Sequence, residues 1–283
     1  MKKIIDVNLD QDRLLIDSNI TYAQVPGWLH QTTRDLHLSI IRHDKRFDEK
    51  KFPVIFWFSG GAWMDIDYNI HLANLIDYAR KGFVIVDVEY RDSNKVRFPG
   101  QLQDVKAAIR YIKSQSEKYQ IDTKKIIAMG ESAGGYLATM LGVTNGIEKF
   151  DVGQNLNYSS NINLVVTWSG VVDPLTTMQS TLNDTHDLIY QNFLGKKPDQ
   201  APTLNKRANP LEYINSQTVP FFILHGTEDS IVPLINADRL NNKLSDNNIP
   251  TEFIVVRDAK HMDPRFWQPR ITNLVTEFIS QYI

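Results

Sequence analysis

Ile126-Ile127-Ala128-Met129-Gly130-Glu131-Ser132-Ala133-Gly134-Gly135-Tyr136-Leu137-Ala138 decides the fold of this chain. A short apolar run of strand length passes through Gly130 into a helix-forming segment, with one serine on the turn between them. The pattern is G-x-S-x-G in the strand–turn–helix setting that gives it meaning. Side chains at positions 130 and 134 would collide with neighbouring backbone in so sharp a turn, and the serine between them is lifted onto its tip. There its hydroxyl meets whatever binds at a helix N-terminus, where the backbone dipole favours developing negative charge.

Working outward, Val54-Ile55-Phe56-Trp57-Phe58 and Val84-Ile85-Val86-Asp87-Val88 are nearly continuous apolar runs, as expected of strands covered on both faces. Helix-spaced Ile70, Leu72, Ala73, Leu75, Ile76 and Ala79 lie between them, which makes a β-α-β unit. Gln101 to Tyr119 reads as a second amphipathic helix after Pro99-Gly100, and a third runs from about Gly134 to Leu141. Further strands are predicted at Leu164–Trp168, Phe221–Leu224 and Glu252–Val256. Arg34 to Ile41 alternates apolar and polar residues, the pattern of a half-exposed antiparallel strand at a sheet edge, followed by a charged, solvated turn from His43 through Lys51. This rhythm predicts one α/β domain over residues 1–283, with a mostly parallel, doubly wound sheet and antiparallel N-terminal strands. Residues 173 to 216 break the rhythm: the segment is polar, holds Pro174, Pro198, Pro202 and Pro210, lacks a buried strand, and is expected to be an inserted cap or lid.

A serine hydroxyl needs a base to take its proton and an acid to orient that base. Asp229 follows the Phe221–Leu224 strand on a loop at its C-terminal end, the edge where open α/β sheets place their sites. Asp229 is the expected acid, with Glu228 the alternative carboxylate. His261 follows the last strand at the same edge and completes the chain order serine, acid, histidine. It is the expected base. His225 is its rival but precedes the acid, while His30, His37, His43, His71 and His186 lie in other settings. The Ser59-Gly60-Gly61-Ala62-Trp63 turn follows the strand ending at Phe58, so amides of Gly61, Ala62 and Ala133 are candidates to bind an oxyanion.

On these residues the chain resembles the α/β-hydrolase superfamily, in the hormone-sensitive-lipase and bacterial feruloyl-esterase-like branch of serine carboxylesterases. The resemblance runs from about Gln31 onward. It rests on Ser59-Gly60-Gly61-Ala62-Trp63, Glu89-Tyr90-Arg91, Phe98-Pro99 with Asp104, Gly130 to Gly135, His225 to Pro233, and His261. Ser59 stands where the family has histidine, and Ala62 where it has a third glycine. The resemblance implies an α/β-hydrolase fold and a small-molecule ester substrate with a short acyl or aromatic acid. The insert with Trp63, Trp168, Phe193 and Met262 would then supply walls of the pocket. Two other readings keep the same residues: an aryl-formamidase or other amide hydrolase, and a non-catalytic binding protein on a hydrolase fold.

Composition narrows the field further. The 283 residues are 42% hydrophobic and 23% charged, enough for a packed core, and a net charge of −2 offers no field to attract nucleic acid. With no cysteine, disulfides, thiolate metal sites and a cysteine nucleophile are excluded. The chemistry calls for no metal or organic cofactor, and H-E-x-x-H, Walker and dinucleotide motifs are absent from the sequence. Asp6, Asn8, Asp10 and Asp12 interrupt any apolar signal segment, and no run approaches the ~18 apolar residues of a membrane span. The expected location is the cytoplasm, without membrane insertion.

Overall fold

The structure is a computed structural model that describes residues 1–8, 10–27, 30–44, 50–181 and 184–283. An eight-stranded sheet organises it, formed by β1 (Leu14–Pro26), β2 (Thr33–His43), β3 (Phe52–Phe58), β4 (Val84–Val88), β5 (Ile121–Glu131), β6 (Leu164–Trp168), β7 (Phe221–Gly226) and β8 (Thr251–Val256). Their spatial order is β1-β2-β4-β3-β5-β6-β7-β8. The β1/β2 and β2/β4 pairs are antiparallel and every later pair is parallel.

Alternation along the central strands feeds two cores. Val54, Phe56 and Phe58 of β3 face one side with Ala128 of β5, and there α2 (Gly100–Ser114), α3 (Ser132–Val143) and α7 (Ile235–Asp246) pack through Leu102, Val105, Tyr136, Leu137 and Leu240. Ile55 and Trp57 face the other side with Met129 and Trp168, covered by α1 (Leu72–Arg80) and α8 (Pro269–Tyr282) through Leu75, Tyr78, Val275 and Phe278. A strand that is apolar on both faces needs helices on both, which is why the predicted continuous runs end up in the middle of the sheet.

Three details depart from the sequence reading. The segment from Arg34 is not at the edge: β2 lies between β1 and β4, and its Leu36, Leu38, Ser39, Ile40 and Ile41 are fully buried. The outermost strand is β1, whose register shifts between Asp17 and Ile20 and between Thr21 and Ala23 break the two-residue period that would have revealed it. In the segment from 173 to 216 the rhythm change is helical, with α4 (Pro174–Thr181), α5 (Asp184–Leu194) and α6 (Pro202–Ala208) lying between β6 and β7 in the chain. Residues 182 and 183 of that segment, and 45–49 of the charged turn, lie outside the described residues. Among the described residues, no helix is long and apolar enough to cross a membrane.

Candidate active site

The elbow is built as its glycines require. A Cβ at Gly134 would sit 1.9 Å from the Phe58 carbonyl oxygen, and one at Gly130 would sit 2.6 Å from the Gly134 backbone. Backbone cannot yield as a flexible side chain can, so only glycine lets β5, α3 and the end of β3 converge this closely. Ser132 follows with φ of 51°, a left-handed conformation that is strained for a residue with a Cβ. It begins α3, whose first amides, including that of Ala133, have no carbonyl within the helix to bond.

Three side chains distant in sequence meet at the C-terminal edge of the sheet. His261 Nε2 is 2.9 Å from Ser132 Oγ, and His261 Nδ1 is 2.8 Å from Asp229 Oδ2. The other oxygen, Asp229 Oδ1, accepts from the Ile231 and Val232 N–H groups at 3.1 and 2.9 Å. His225 Nε2 lies 2.8 Å from the Val232 carbonyl, to which it donates, and 3.3 Å from Asp229 Oδ2. Burial of Asp229 favours its neutral form, yet hydrogen bonds from His225 and His261, the His261 charge and the Val232 N–H outweigh it. Together they hold the carboxyl well below the usual carboxylate range. His225, passed over as base, is therefore a second partner of Asp229. Glu228 is exposed, and no hydrogen bond joins its carboxylate to the histidine among the described contacts.

The turn after β3 lies against the serine. Gly60 is the contact residue: a Cβ there would be 3.2 Å from Ser132 Cβ and 3.3 Å from Met262 Sδ. Gly61 has φ of 118°, and its carbonyl accepts from the Met64 and Asp65 N–H groups, closing the turn that presents Ala62 and Trp63. Ser59 is buried. Its hydroxyl accepts from Trp57 Nε1 at 3.2 Å, and its carbonyl accepts from the Tyr90 hydroxyl at 2.7 Å. Burial, aided by the Glu131 charge, pushes Tyr90 far above its ordinary value, so it stays a donor. Tyr90 thus pins the turn from below. Glu131, directly before the serine, is buried with Oε1 2.8 Å from His71 Nε2.

A cavity of about 30 Å³ opens beside the serine. Ala62, Trp63, Ser132, Ala133, Val171, Ile231 and Val232 line it, together with Ile189 and Tyr190 of α5. Trp63 therefore faces this space. Phe193 is fully buried and stacks on Trp63 with ring centroids 4.1 Å apart, so it backs the wall instead of forming it. Trp168 is on the other face of the sheet, packed against Trp57, Phe266 and Trp267, because its position in β6 puts it in phase with Val166 and Leu164. It is a core residue, contrary to the expectation of a pocket wall. Met262, 37% exposed, follows His261 in the chain, approaches Gly60 with its sulfur and does not line the cavity.

Comparison with known proteins places this geometry. The family model described as BD-FAE matches residues 41–244, more than two thirds of the chain. The chain belongs to the BD-FAE family. Among curated relatives of this BD-FAE chain, the probable carboxylic ester hydrolase LipM of Mycobacterium tuberculosis is 29% identical over 223 residues, covering 78% of the chain and 50% of the relative. The esterase LipC of the same organism is 26% identical, covering 68% and 48%. The chain thus spans about half the length of these curated relatives. A solved structure described as a truncated carbohydrate esterase from gut microbiota superposes with a TM-score of 0.80 at 25% identity, covering 96% of this chain and 97% of that one. The BD-FAE chain has the α/β-hydrolase fold of these esterases.

Proposed function

We propose that the protein is a serine esterase that hydrolyses carboxylic esters of small molecules through an acyl-enzyme, with Ser132 as nucleophile, His261 as base and Asp229 as orienting acid. The observation that carries this reading is the unbroken relay from Asp229 Oδ2 to His261 Nδ1 and from His261 Nε2 to Ser132 Oγ, at 2.8 and 2.9 Å. With Nδ1–H donated to the carboxylate, Nε2 is left as an acceptor for the serine proton.

As Ser132 Oγ bonds to the ester carbonyl carbon, its proton passes to His261 Nε2 and the carbonyl electron pair moves onto oxygen. The amide of Ala133 at the helix N-terminus and those of Gly61 and Ala62 on the turn are assigned to that oxyanion. Collapse expels the alcohol, which takes the proton from His261. Water then attacks the acyl-enzyme with His261 again as base, releasing the acid and restoring Ser132. The ester-hydrolase names of the relatives support the reaction class.

Labelling with a fluorophosphonate tests the assignment. Wild type is expected to carry one label on Ser132, and Ser132→Ala to lose both the label and about 10⁴- to 10⁶-fold in kcat on p-nitrophenyl acetate. Full hydrolysis by the alanine variant would overturn it.

A further inference from the structure

We propose that Glu131 and His71 are a positioning pair that fixes the turn after β3 against the start of α3, and so sets the spacing of the amides assigned to the oxyanion. The proposal rests on the esterase reading and adds what holds the two halves of its oxyanion site together. Those halves belong to different segments: Gly61 and Ala62 lie in the stretch from Ser59 to His71 that joins β3 to α1, whereas Ala133 follows the serine in α3. Oxyanion donors act only where they converge on one oxygen, so something must hold the two segments at a fixed separation. Most anchors of the first stretch place it relative to β4 instead. The Tyr90 hydroxyl donates to the Ser59 carbonyl at 2.7 Å, the Ser93 N–H to the Trp63 carbonyl at 2.6 Å, and the Asn69 N–H to Asp87 Oδ2 at 2.9 Å. All three partners lie in or just after β4. The close approach of Gly60 to Ser132 limits how near the two segments come but does not tie them. Among the described residues, the one hydrogen bond that joins residues 59–71 to residues 130–135 runs from His71 Nε2 to Glu131 Oε1, at 2.8 Å.

Both ends of that bond are themselves held. Glu131 closes β5 in phase with Ile127 and Met129, which puts its side chain on the α1 side of the sheet, where it is buried. A buried carboxylate is costly without a partner, and among the described residues no other hydrogen bond reaches this one. The His71 ring meets Trp57 edge-on at 5.7 Å and Trp267 at 4.8 Å, which fixes its direction. Trp57 belongs to β3 and donates to Ser59 Oγ, while Trp267 closes the turn Pro264–Trp267 that follows His261. The pair thus stands where the segments carrying the turn, the nucleophile and the base come together. Neither residue lines the cavity beside the serine, so its loss should reach the chemical step and not the binding of substrate.

The test is kcat and KM on p-nitrophenyl acetate, with the rate of fluorophosphonate labelling, for wild type, Glu131→Gln, Glu131→Ala, His71→Phe and the double variant Glu131→Ala/His71→Phe. Glutamine keeps an acceptor for His71, so Glu131→Gln should retain kcat near that of wild type. Glu131→Ala and His71→Phe should each lower kcat and the labelling rate about 10- to 100-fold with KM little changed, in line with the ~10²-fold that a 1 Å misplacement costs. The double variant should be no slower than the poorer single one, because both remove the same bond. It leaves no bare carboxylate and keeps a ring against Trp57 and Trp267, so it decides the matter if a single variant does not fold. Wild-type kcat and labelling in the folded double variant would refute the positioning role and leave the esterase reading intact. Losses that multiply, a rise in KM at unchanged kcat, or a glutamine variant as slow as the alanine one would do the same. A wild type that neither hydrolyses the ester nor takes the label would instead remove the esterase reading.

Discussion

Replacing Asp229 with asparagine changes one atom and, by the geometry of the site, inverts the relay. Asp229 Oδ1 is fixed as an acceptor by two backbone N–H groups, from Ile231 and Val232. An asparagine keeps those bonds only if its carbonyl oxygen takes the Oδ1 place, which leaves its NH₂ in the Oδ2 place, 2.8 Å from His261 Nδ1. Donor then faces ring nitrogen, so Nδ1 must accept and the proton moves to Nε2. From there the ring donates to Ser132 Oγ and can no longer take its proton. The loss expected is about 10⁴-fold in kcat, or about 5.5 kcal/mol of transition-state stabilisation. The assay is steady-state hydrolysis of p-nitrophenyl acetate at neutral pH, with circular dichroism to establish that the variant folds. A second readout is stability against pH. The native carboxyl lies below its unfolded value, so its contribution is fully present above about pH 4 and is lost as pH falls below that. Asp229→Asn should therefore flatten the acid limb of the stability curve. A folded variant with less than a tenfold loss in kcat would refute the tautomer argument.

Other outcomes follow from the same packing. Gly134→Ala places a Cβ 1.9 Å from the Phe58 carbonyl oxygen, backbone that cannot move without parting β3 from α3. Urea denaturation should show a loss at or above the ~1–3 kcal/mol usual for overpacking, with activity falling in parallel. Asp87 is fully buried, and burial pushes its carboxyl up to about 7 against the opposing Asn69 N–H and His71 charge. Its neutral form is the stable one, so the wild type should lose stability as pH rises from about 4 through 7. Asp87→Asn should escape that loss, and the gap between the two melting curves should widen toward pH 8. From 3.8 to about 7, at 1.36 kcal/mol per unit, its full size is on the order of 4 kcal/mol; parallel curves would contradict the mechanism.

Much of the frame can be read from residue order. Val54–Phe58, Val84–Val88 and Leu164–Trp168 are buried on both faces, and a continuous apolar run bounded by turn residues says so locally. The first strand, Leu14–Pro26, escapes because its two register shifts move apolar residues from one face to the other, leaving no clean period to detect. Helices α4 to α6 escape for a related reason: at 8, 11 and 7 residues they are too short for a long apolar stripe to mark them.

At the site the division is sharper. Sequence alone selects Ser132, because two glycines, a strand and a helix around one serine are local facts, and it orders Asp229 and His261 behind it. It cannot tell which face of a two-sided strand a side chain joins, so Trp168 passes for a pocket wall until its phase in β6 sends it to the far core. Nor can it show that His225 lies beside Asp229, that Tyr90 donates to the Ser59 carbonyl, or that α5 lines the cavity. Those relations join residues tens of positions apart, and only the packing of the folded chain sets the distances on which proton transfer and pocket size depend.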